Sequence, residues 1–313
     1  MIGFGEIYGR PLAGQSCLAS VARGDITPWI FTRRPQIFAS LYQAIFDSGR
    51  DNYERYDMQQ LDLETFATKL DSAAQNALAT SQITLQHSLT IEEAYQIQRR
   101  VVAKRLQRRG QICGLKVGFT SQAKKIQMGV DQVIFGHLTS DMQIQNSGKV
   151  SIAQTIHPRV EPELAFRLAE DVDYVLSPAS ALSTVDAIAP AMEIIDSRYQ
   201  DFQFSLPDVI ADNSSSSHFV VGDWRSAKID VASLKMTLLV DDKPPLMGYS
   251  HEISGHPINS LVELSALTVR HGVVLKAGWI ILAGAATEAI AIRGANRASC
   301  SVAGLGDVEI YVG

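Results

Sequence analysis

The segment from His157 to Phe166 constrains the chain strongly, because it places two carboxylates inside an apolar run. In an extended strand, successive side chains point to opposite faces. The apolar side chains then share one face, and Glu161 and Glu163 lie together on the other. Neighbouring carboxylates repel each other unless a positive group lies between them, and a hard divalent cation meets that need. A strand with an ordinary solvated face is the alternative, and this motif taken by itself favours that alternative.

Two further segments carry candidate site residues. A third carboxylate, Glu193, lies in a second apolar run, Ala191–Ile195. On a strand, Gly114, Lys116 and Gly118 share a face, so the lysine is flanked by positions without side chains. Glycines in a strand often mark the close approach of a ligand or of another backbone. An edge strand whose lysine guards against aggregation explains the pattern equally well.

Composition limits the class of protein and of partner. With 313 residues, 46% hydrophobic and 19% charged, the chain is long enough for one large soluble domain plus an appendage. A net charge of −5 argues against nucleic acid or an anionic membrane as the main partner. The three cysteines are isolated, so neither a zinc site nor a disulfide framework is indicated. Because no apolar run reaches membrane-spanning length and no signal peptide is evident, we expect a cytoplasmic protein.

We divide the chain into an N-terminal extension, 1–57, and a catalytic domain, 58–313. The extension contains scattered glycines and aromatic residues and no catalytic motif. It could be a small addition to the domain, an arm that binds a partner, or sequence upstream of a true start at Met58. The residues alone do not choose among these three interpretations.

The catalytic domain divides again into a helical part, about 61–110, and a β-rich part, about 111–313. Thr90 and Glu93 match a capping box, which predicts a helix that begins there and ends near Gly110. Many short strands with a few helices predict the α+β class with a substantial sheet.

Six motifs occur in this chain in one order. They are Gly114-Leu-Lys-Val-Gly-Phe-Thr-Ser, Met128-Gly-Val, Phe135-Gly-x-Leu, His157-Pro-Arg-Val-Glu-x-Glu, Glu193-Ile-Ile-Asp-Ser-Arg-Tyr and Ala211-Asp-Asn-x-Ser-Ser. Together they resemble the 2-oxopent-4-enoate hydratase and 4-oxalocrotonate decarboxylase group of the fumarylacetoacetate hydrolase superfamily. The resemblance covers about residues 61–313, and several motifs in one order are far more specific than any single one.

The resemblance implies a fold and a metal site. The fold is a mixed β-roll or sandwich with flanking helices. The metal is Mg²⁺ or Mn²⁺, whose three acidic ligands match Glu161, Glu163 and Glu193, and the catalytic lysine matches Lys116. The resemblance also implies a small 2-oxo acid as substrate and a homo-oligomer, which could associate with a partner hydratase.

Departures from the family pattern leave parts of the site open. An acidic residue is common where Ser140 lies, and here Asp141 follows it instead. We expect Asp141 to act as a catalytic carboxylate that orients Lys116 or a water molecule. The segment from Met247 to Pro257 is bulkier and more polar than in relatives, which leaves the shape of the pocket and the choice of substrate open.

Between the two activities, the segment Asp196-Ser-Arg-Tyr-Gln-Asp-Phe and Thr287 resemble the decarboxylase more than the hydratase. That resemblance implies decarboxylation of 2-oxohex-3-enedioate to 2-hydroxypenta-2,4-dienoate in aromatic meta-cleavage catabolism. A decarboxylase must hold a dianion, so it needs cationic or hydroxyl groups beyond the metal. The candidates are Arg198, Ser215, Thr287 and Lys116. A hydratase acting on 2-hydroxypentadienoate (2-oxopent-4-enoate) is the alternative, and it would instead place a water at the distal carbon. A weakly active structural subunit of a hydratase–decarboxylase complex is the alternative from another class.

Overall fold

The computed structural model describes residues 62–121, 125–126 and 132–313. All of them belong to one structural unit, Leu61–Gly313. The predicted N-terminal extension, 1–57, its boundary at residue 58 and the motif that begins at Met128 lie outside the described residues.

Five helices contain most of the described helical residues. They are α1 (62–76), α2 (Ile91–Arg108), α3 (Pro178–Ser183), α4 (Leu206–Ala211) and α5 (Pro257–Arg270). The predicted capping box opens α2, because the Thr90 hydroxyl accepts from the Glu93 N–H and Oε2 of Glu93 accepts from the Thr90 N–H. Within the described ranges, no helix is long and apolar enough to cross a membrane.

Fourteen strands form two sheets in the described part of the chain. The first seven are β1 (Ile112–Gly118), β2 (Ile134–Thr139), β3 (Gln143–Ile144), β4 (Gly148–Val150), β5 (Arg159–Leu168), β6 (Val185–Ile195) and β7 (Ser216–Val221). The others are β8 (Arg225–Ser226), β9 (Lys235–Val240), β10 (Leu246–Tyr249), β11 (Ile280–Ala285), β12 (Ile290–Ala291), β13 (Arg297–Val302) and β14 (Gly306–Val312). The larger sheet has the order β2-β1-β11-β5-β6-β7-β3, with β12 beside β5 and β8 beside β6. The smaller sheet has the order β10-β9-β13-β14-β4.

Strands β5 and β6 form the centre of the larger sheet. They are antiparallel and pair from Arg159 opposite Ile195 to Leu168 opposite Val185. Both faces of β5 are buried over most of its length, including Glu161 and Glu163, which are 5% and 1% exposed. The solvated-face alternative for these two glutamates is therefore wrong. A charged group that is buried in this way requires a compensating partner.

The sheets and helices together give the predicted α+β class. The larger sheet is mixed, since β1 runs parallel to β11 and antiparallel to β2. Helix α2 packs against α4, and α3 packs against α5. One continuous apolar core includes side chains from the helices and from both sheets.

Candidate active site

Three glutamates converge at the middle of the larger sheet. Glu161 on β5 lies directly opposite Glu193 on β6. Glu163 follows on the same face of β5 because side chains alternate along a strand. Carboxylate oxygens of the three residues lie within 4.8 Å of one another, and all three side chains are buried. The structure thus brings together the three residues that the sequence analysis matched to metal ligands.

The charges of Glu163 and Glu193 are only partly compensated by the described residues. Burial raises the pKa of Glu163 well above its usual value, and the charges of Glu193 and Glu161 raise it further. One backbone N–H opposes this effect, since Gly284 donates to Oε2 of Glu163 over 2.7 Å. Burial also raises the pKa of Glu193, although the nearby Lys116 ammonium lowers it in part. Glu163 and Glu193 therefore favour a further positive charge beside them.

The donor set fits a divalent cation. Among the described residues, Oε1 of Glu193 has no hydrogen-bond partner, although the atom is buried. Three buried carboxylates concentrate negative charge at one point, and in the described part of the chain Lys116 is paired with Glu193. An all-oxygen set of carboxylates suits Mg²⁺ or Mn²⁺ rather than a soft metal.

Lys116 lies beside this cluster on β1. Its Nζ is 2.7 Å from Oε2 of Glu193 and donates to the Ser214 carbonyl oxygen over 3.1 Å. The side chain is buried, and β1 lies between β2 and β11, so the edge-strand alternative is wrong. Gly114 is explained by the close approach of a backbone, because a Cβ there would lie 1.9 Å from the Ile280 carbonyl oxygen.

One of the two acceptors of Lys116, the Ser214 carbonyl oxygen, belongs to an unusual turn. Asn213, Ser214 and Ser215 have consecutive positive φ angles of 50°, 53° and 57°. The Asn213 amide binds the β2 backbone at His137, accepting from its N–H over 2.7 Å and donating to its carbonyl over 2.9 Å. The Ser214 hydroxyl donates to the Phe135 carbonyl oxygen over 2.8 Å. These bonds fix the Ser214 carbonyl in front of the lysine.

A cavity of about 1090 Å³ lies over Lys116 and Glu161. Two of the residues predicted to bind substrate, Ser215 and Thr287, line it. The Ser215 hydroxyl is buried and has no hydrogen-bond partner within the described part of the chain. The Thr287 hydroxyl donates to the Glu288 carbonyl oxygen over 3.1 Å. Both hydroxyls therefore share a cavity with the lysine and one of the glutamates.

Arg198, the third residue predicted to bind substrate, is placed elsewhere and needs correction. Its guanidinium is buried, and it donates to the Asp212 carboxylate and to three backbone carbonyls, those of Asp196, Asp212 and Ser216. An arginine side chain has five N–H donors, and four of them are used here. Arg198 lines a second, smaller cavity of about 340 Å³ and not the cavity over Lys116. It therefore fixes the chain segment that follows β6 and does not line the cavity over Lys116.

Asp141, predicted to be a catalytic carboxylate, also lies away from Lys116. It follows Thr139, which pairs with Ile112 at the opposite end of β1 from the lysine. Burial raises the pKa of Asp141, but hydrogen bonds from Thr139 and Arg105 outweigh burial and hold the pKa below its usual value. This carboxylate lines the smaller cavity, where its ion pair with Arg105 gives it a structural role.

Comparison with known proteins decides the family. Residues 112–312 match the family described as "Fumarylacetoacetate (FAA) hydrolase C-terminal". The chain belongs to the fumarylacetoacetate hydrolase family.

Relatives of this family member carry both activities that the sequence analysis considered. It is 47% identical to the 4-oxalocrotonate decarboxylase of Pseudomonas sp over 247 residues, which cover 79% of this chain and 96% of that protein. It is 30% identical to the 2-hydroxyhexa-2,4-dienoate hydratase of Comamonas testosteroni over 254 residues, again 79% of this chain and 96% of that protein. These relationships confirm the predicted group of enzymes.

A solved structure confirms the predicted fold. The 4-oxalocrotonate decarboxylase from Pseudomonas putida G7, complexed with magnesium and adipate, has a TM-score of 0.77 and 28% sequence identity to this chain. The match covers 81% of this family member and 98% of that protein.

The structure adds two residues to the site that the sequence analysis did not select. Asn213 holds the turn that faces Lys116, and the signal available for it was an Asx-rich loop in which left-handed backbone is common. Arg159 lines the larger cavity, and strand alternation alone places it on the same face of β5 as Glu161.

Proposed function

We propose that this protein is a metal-dependent lyase that decarboxylates 2-oxohex-3-enedioate (4-oxalocrotonate) to 2-hydroxypenta-2,4-dienoate. One observation carries the choice of reaction, namely the 47% identity to a 4-oxalocrotonate decarboxylase over 96% of that protein's length. The structurally similar decarboxylase that is complexed with adipate supports it, because adipate is a six-carbon dicarboxylate like the proposed substrate.

In this proposal Glu161, Glu163 and Glu193 hold Mg²⁺ or Mn²⁺. When bound there, the cation would supply Lewis-acid chemistry, drawing electron density from the 2-oxo group of a chelating 2-oxo acid. The support is the convergence of three buried carboxylates with an oxygen of Glu193 that lacks a hydrogen-bond partner among the described residues.

The protein's own residues bind the substrate and move the proton. In the reaction the bond between carbons 5 and 6 breaks, and carbon 6 leaves as CO₂. The electron pair moves through the conjugated chain to the oxygen on carbon 2, which takes up one proton. We assign the donation of that proton to Nζ of Lys116, because an ammonium has three N–H donors and the described acceptors, Glu193 and Ser214, use two. In this proposal the hydroxyls of Ser215 and Thr287, two residues that line the cavity, donate to substrate oxygens, and Thr287 exchanges its bond to the Glu288 carbonyl for one to the substrate.

Hydration of a 2-hydroxydienoate is the second candidate. The 30% identity to a hydratase over 96% of its length favours it. The two reactions share the dienol chemistry at carbon 2 and differ at the far end of the substrate, where a hydratase places water.

A single assay separates the two reactions. Purified protein with Mg²⁺ is given 2-oxohex-3-enedioate, and CO₂ release is followed; in parallel it is given 2-hydroxypenta-2,4-dienoate, and water addition is followed. Decarboxylation that is lost after chelation with EDTA and regained with Mg²⁺ is the expected result. Efficient hydration without CO₂ release supports the hydratase instead, and no turnover of either compound supports the structural-subunit interpretation.

We also propose that the protein acts in the cytoplasm as a homo-oligomer and associates with a partner hydratase. The family membership and the two activities found among its relatives support this assembly. Light scattering on the purified protein, alone and mixed with a hydratase relative, measures both the subunit number and the association.

A further inference from the structure

One basic side chain that lines the larger cavity is not paired with a carboxylate in the described part of the chain. Lys116 and Arg159 are the basic residues among the described residues that line this cavity. Lys116 is paired with Glu193. The guanidinium of Arg159 has no ion pair or side-chain hydrogen bond within the described ranges, and Arg159 lies two residues before Glu161 on the same face of β5.

The guanidinium of Arg159 is instead stacked on an aromatic ring. Its carbon Cζ lies 4.4 Å from the centroid of the Phe202 ring. A cation over the face of an aromatic ring is attracted by the ring electrons, and the N–H donors of the planar guanidinium remain in its plane. Stacking therefore orients the group without using the donors that could bind a carboxylate in a bidentate way.

The conformation and contacts of its loop hold the Phe202 ring beside Arg159. Asp201 and Phe202 both have left-handed backbone, with φ angles of 56° and 58°, which is costly for residues with side chains. The ring also packs edge-on against His157 at 6.3 Å and lies 5.6 Å from the ring of Phe204. Phe202 ends the segment Asp196-Ser-Arg-Tyr-Gln-Asp-Phe, and its last two residues, Asp201 and Phe202, line the cavity, whereas Arg198 does not.

We propose that Arg159, stacked on Phe202, binds the distal carboxylate of a dicarboxylic 2-oxo acid. This inference rests on the proposed function, which brings the 2-oxo end of the substrate to the three glutamates. Among the described residues that line this cavity, the other charged groups beyond Glu161 and Lys116 are Asp201, Glu252 and Glu288, and they repel an anion. A substrate with a second carboxylate therefore needs the guanidinium of Arg159 to offset that repulsion.

In this proposal Arg159 binds the substrate more tightly than the product. The distal carboxylate leaves as neutral CO₂, so the contact with Arg159 is made by the substrate and is lost in the product. Such an interaction lowers KM for the dianion and adds nothing to the rate of the chemical step. It also favours release of the monoanionic product.

The test compares two unreactive ligands of equal length, 2-oxoadipate and 2-oxohexanoate, which differ only in the carboxylate at carbon 6. Calorimetric titration in saturating Mg²⁺ gives both affinities for the wild type and for Arg159→Met. We expect the wild type to prefer the diacid by about ten- to hundredfold, the usual range for a charge-assisted hydrogen bond. In Arg159→Met that preference should disappear, while the affinity for 2-oxohexanoate changes by less than about threefold.

The same strand offers a matched control. Arg167 lies on β5, is stacked 5.3 Å from the Trp224 ring and pairs with Asp186, but it does not line the cavity. The variant Arg167→Met should keep the full preference for the diacid. If Arg159→Met fails to fold by circular dichroism, Arg159→Lys takes its place and should lose at least about threefold of the preference, because lysine cannot bind a carboxylate in a bidentate way.

Two outcomes overturn the inference. An equal loss of affinity for both ligands means that Arg159 binds the 2-oxo acid end, and an unchanged preference means that it binds neither carboxylate. Because binding is measured without turnover, a vanished preference in a protein that releases no CO₂ upholds the inference and rejects only the proposed reaction.

Discussion

In the described part of the chain, three carboxylates and the ammonium group of Lys116 meet at the centre of the larger sheet. Glu193 faces Lys116 at 2.7 Å, whereas Glu163 receives a single backbone N–H from Gly284. Burial raises the pKa of both glutamates, and repulsion between the carboxylates raises it further. Burying such a cluster without a cation costs folding free energy. At the scale of the residue, the glutamates therefore favour metal binding at the expense of the stability of the metal-free protein.

The substitution Glu163→Gln tests this balance. A neutral amide still accepts from the Gly284 N–H through its carbonyl oxygen, but it brings no charge to a divalent cation. We expect Mg²⁺ affinity to fall about tenfold or more. In EDTA at pH 8, the variant should melt at a higher temperature than the wild type, because a buried carboxyl group that is crowded against two others has been replaced by a neutral amide.

Calorimetric Mg²⁺ titration and thermal melts in EDTA measure these two effects. The exposed Glu170, beyond the end of β5, provides the control, and Glu170→Gln should change neither quantity. A Glu163→Gln protein with wild-type Mg²⁺ affinity would contradict the assignment of Glu163 as a ligand.

At the scale of the element, the turn from Asn213 to Ser215 links β2 to the lysine on β1. Three consecutive left-handed residues are costly, and the surrounding hydrogen bonds must offset that cost. The Asn213 amide supplies two of those bonds to the backbone at His137. The result is a carbonyl, that of Ser214, held 3.1 Å from Nζ of Lys116.

The substitution Asn213→Ala removes both bonds and leaves a buried N–H and a buried carbonyl of His137 without their partner. We expect a loss of about 1–3 kcal/mol in the free energy of unfolding, the usual range for an unsatisfied buried group. The activity per folded molecule should also fall, with a lower kcat and little change in KM, because the Ser214 carbonyl that accepts from Lys116 is no longer fixed.

Urea unfolding and steady-state kinetics give the two results. Asn259 donates to the Ser254 carbonyl outside this turn, so Asn259→Ala serves as the control for a lost amide hydrogen bond. A variant of Asn213 that is destabilised but has wild-type kcat would limit Asn213 to a structural role.

Local patterns predicted the parts of the site that depend on one strand. Alternation places Glu161 and Glu163 on one face of β5, and the same rule places Arg159 on that face as well. Alternation does not reveal that both faces of β5 are buried, because burial of a face depends on what packs over the sheet, such as the contacts that β5 makes with β9 of the smaller sheet. The role of Arg198 depends on Asp212, which lies fourteen positions away in a different loop. This contact is part of the tertiary structure, so no local sequence pattern predicts it.

At the scale of the whole molecule, the described part of the chain contains every residue that the proposed chemistry uses. The variant that begins at Met58 should therefore keep Mg²⁺ binding and turnover, because no proposed ligand or lysine lies in 1–57. Calorimetry and the CO₂ assay on this variant, beside the full chain, measure both properties. A shortened protein that aggregates or melts far below the full chain would show that residues 1–57 belong to the folded domain.

Stability of the whole fold should also depend on pH through a buried histidine. Burial lowers the pKa of His137 to about 4, helped by the charge of Arg99 and opposed by a hydrogen bond with Asn213. The unfolded chain takes up this proton near pH 6.5, whereas the folded protein stays neutral there until about pH 4. The folded state therefore loses stability as pH falls from about 6.5 to about 4, by up to about 3 kcal/mol from this residue. Urea unfolding in saturating Mg²⁺ at pH 7 and pH 4.5 should show a smaller loss for His137→Phe than for the wild type, and equal losses would mean that His137 does not control the acid limit.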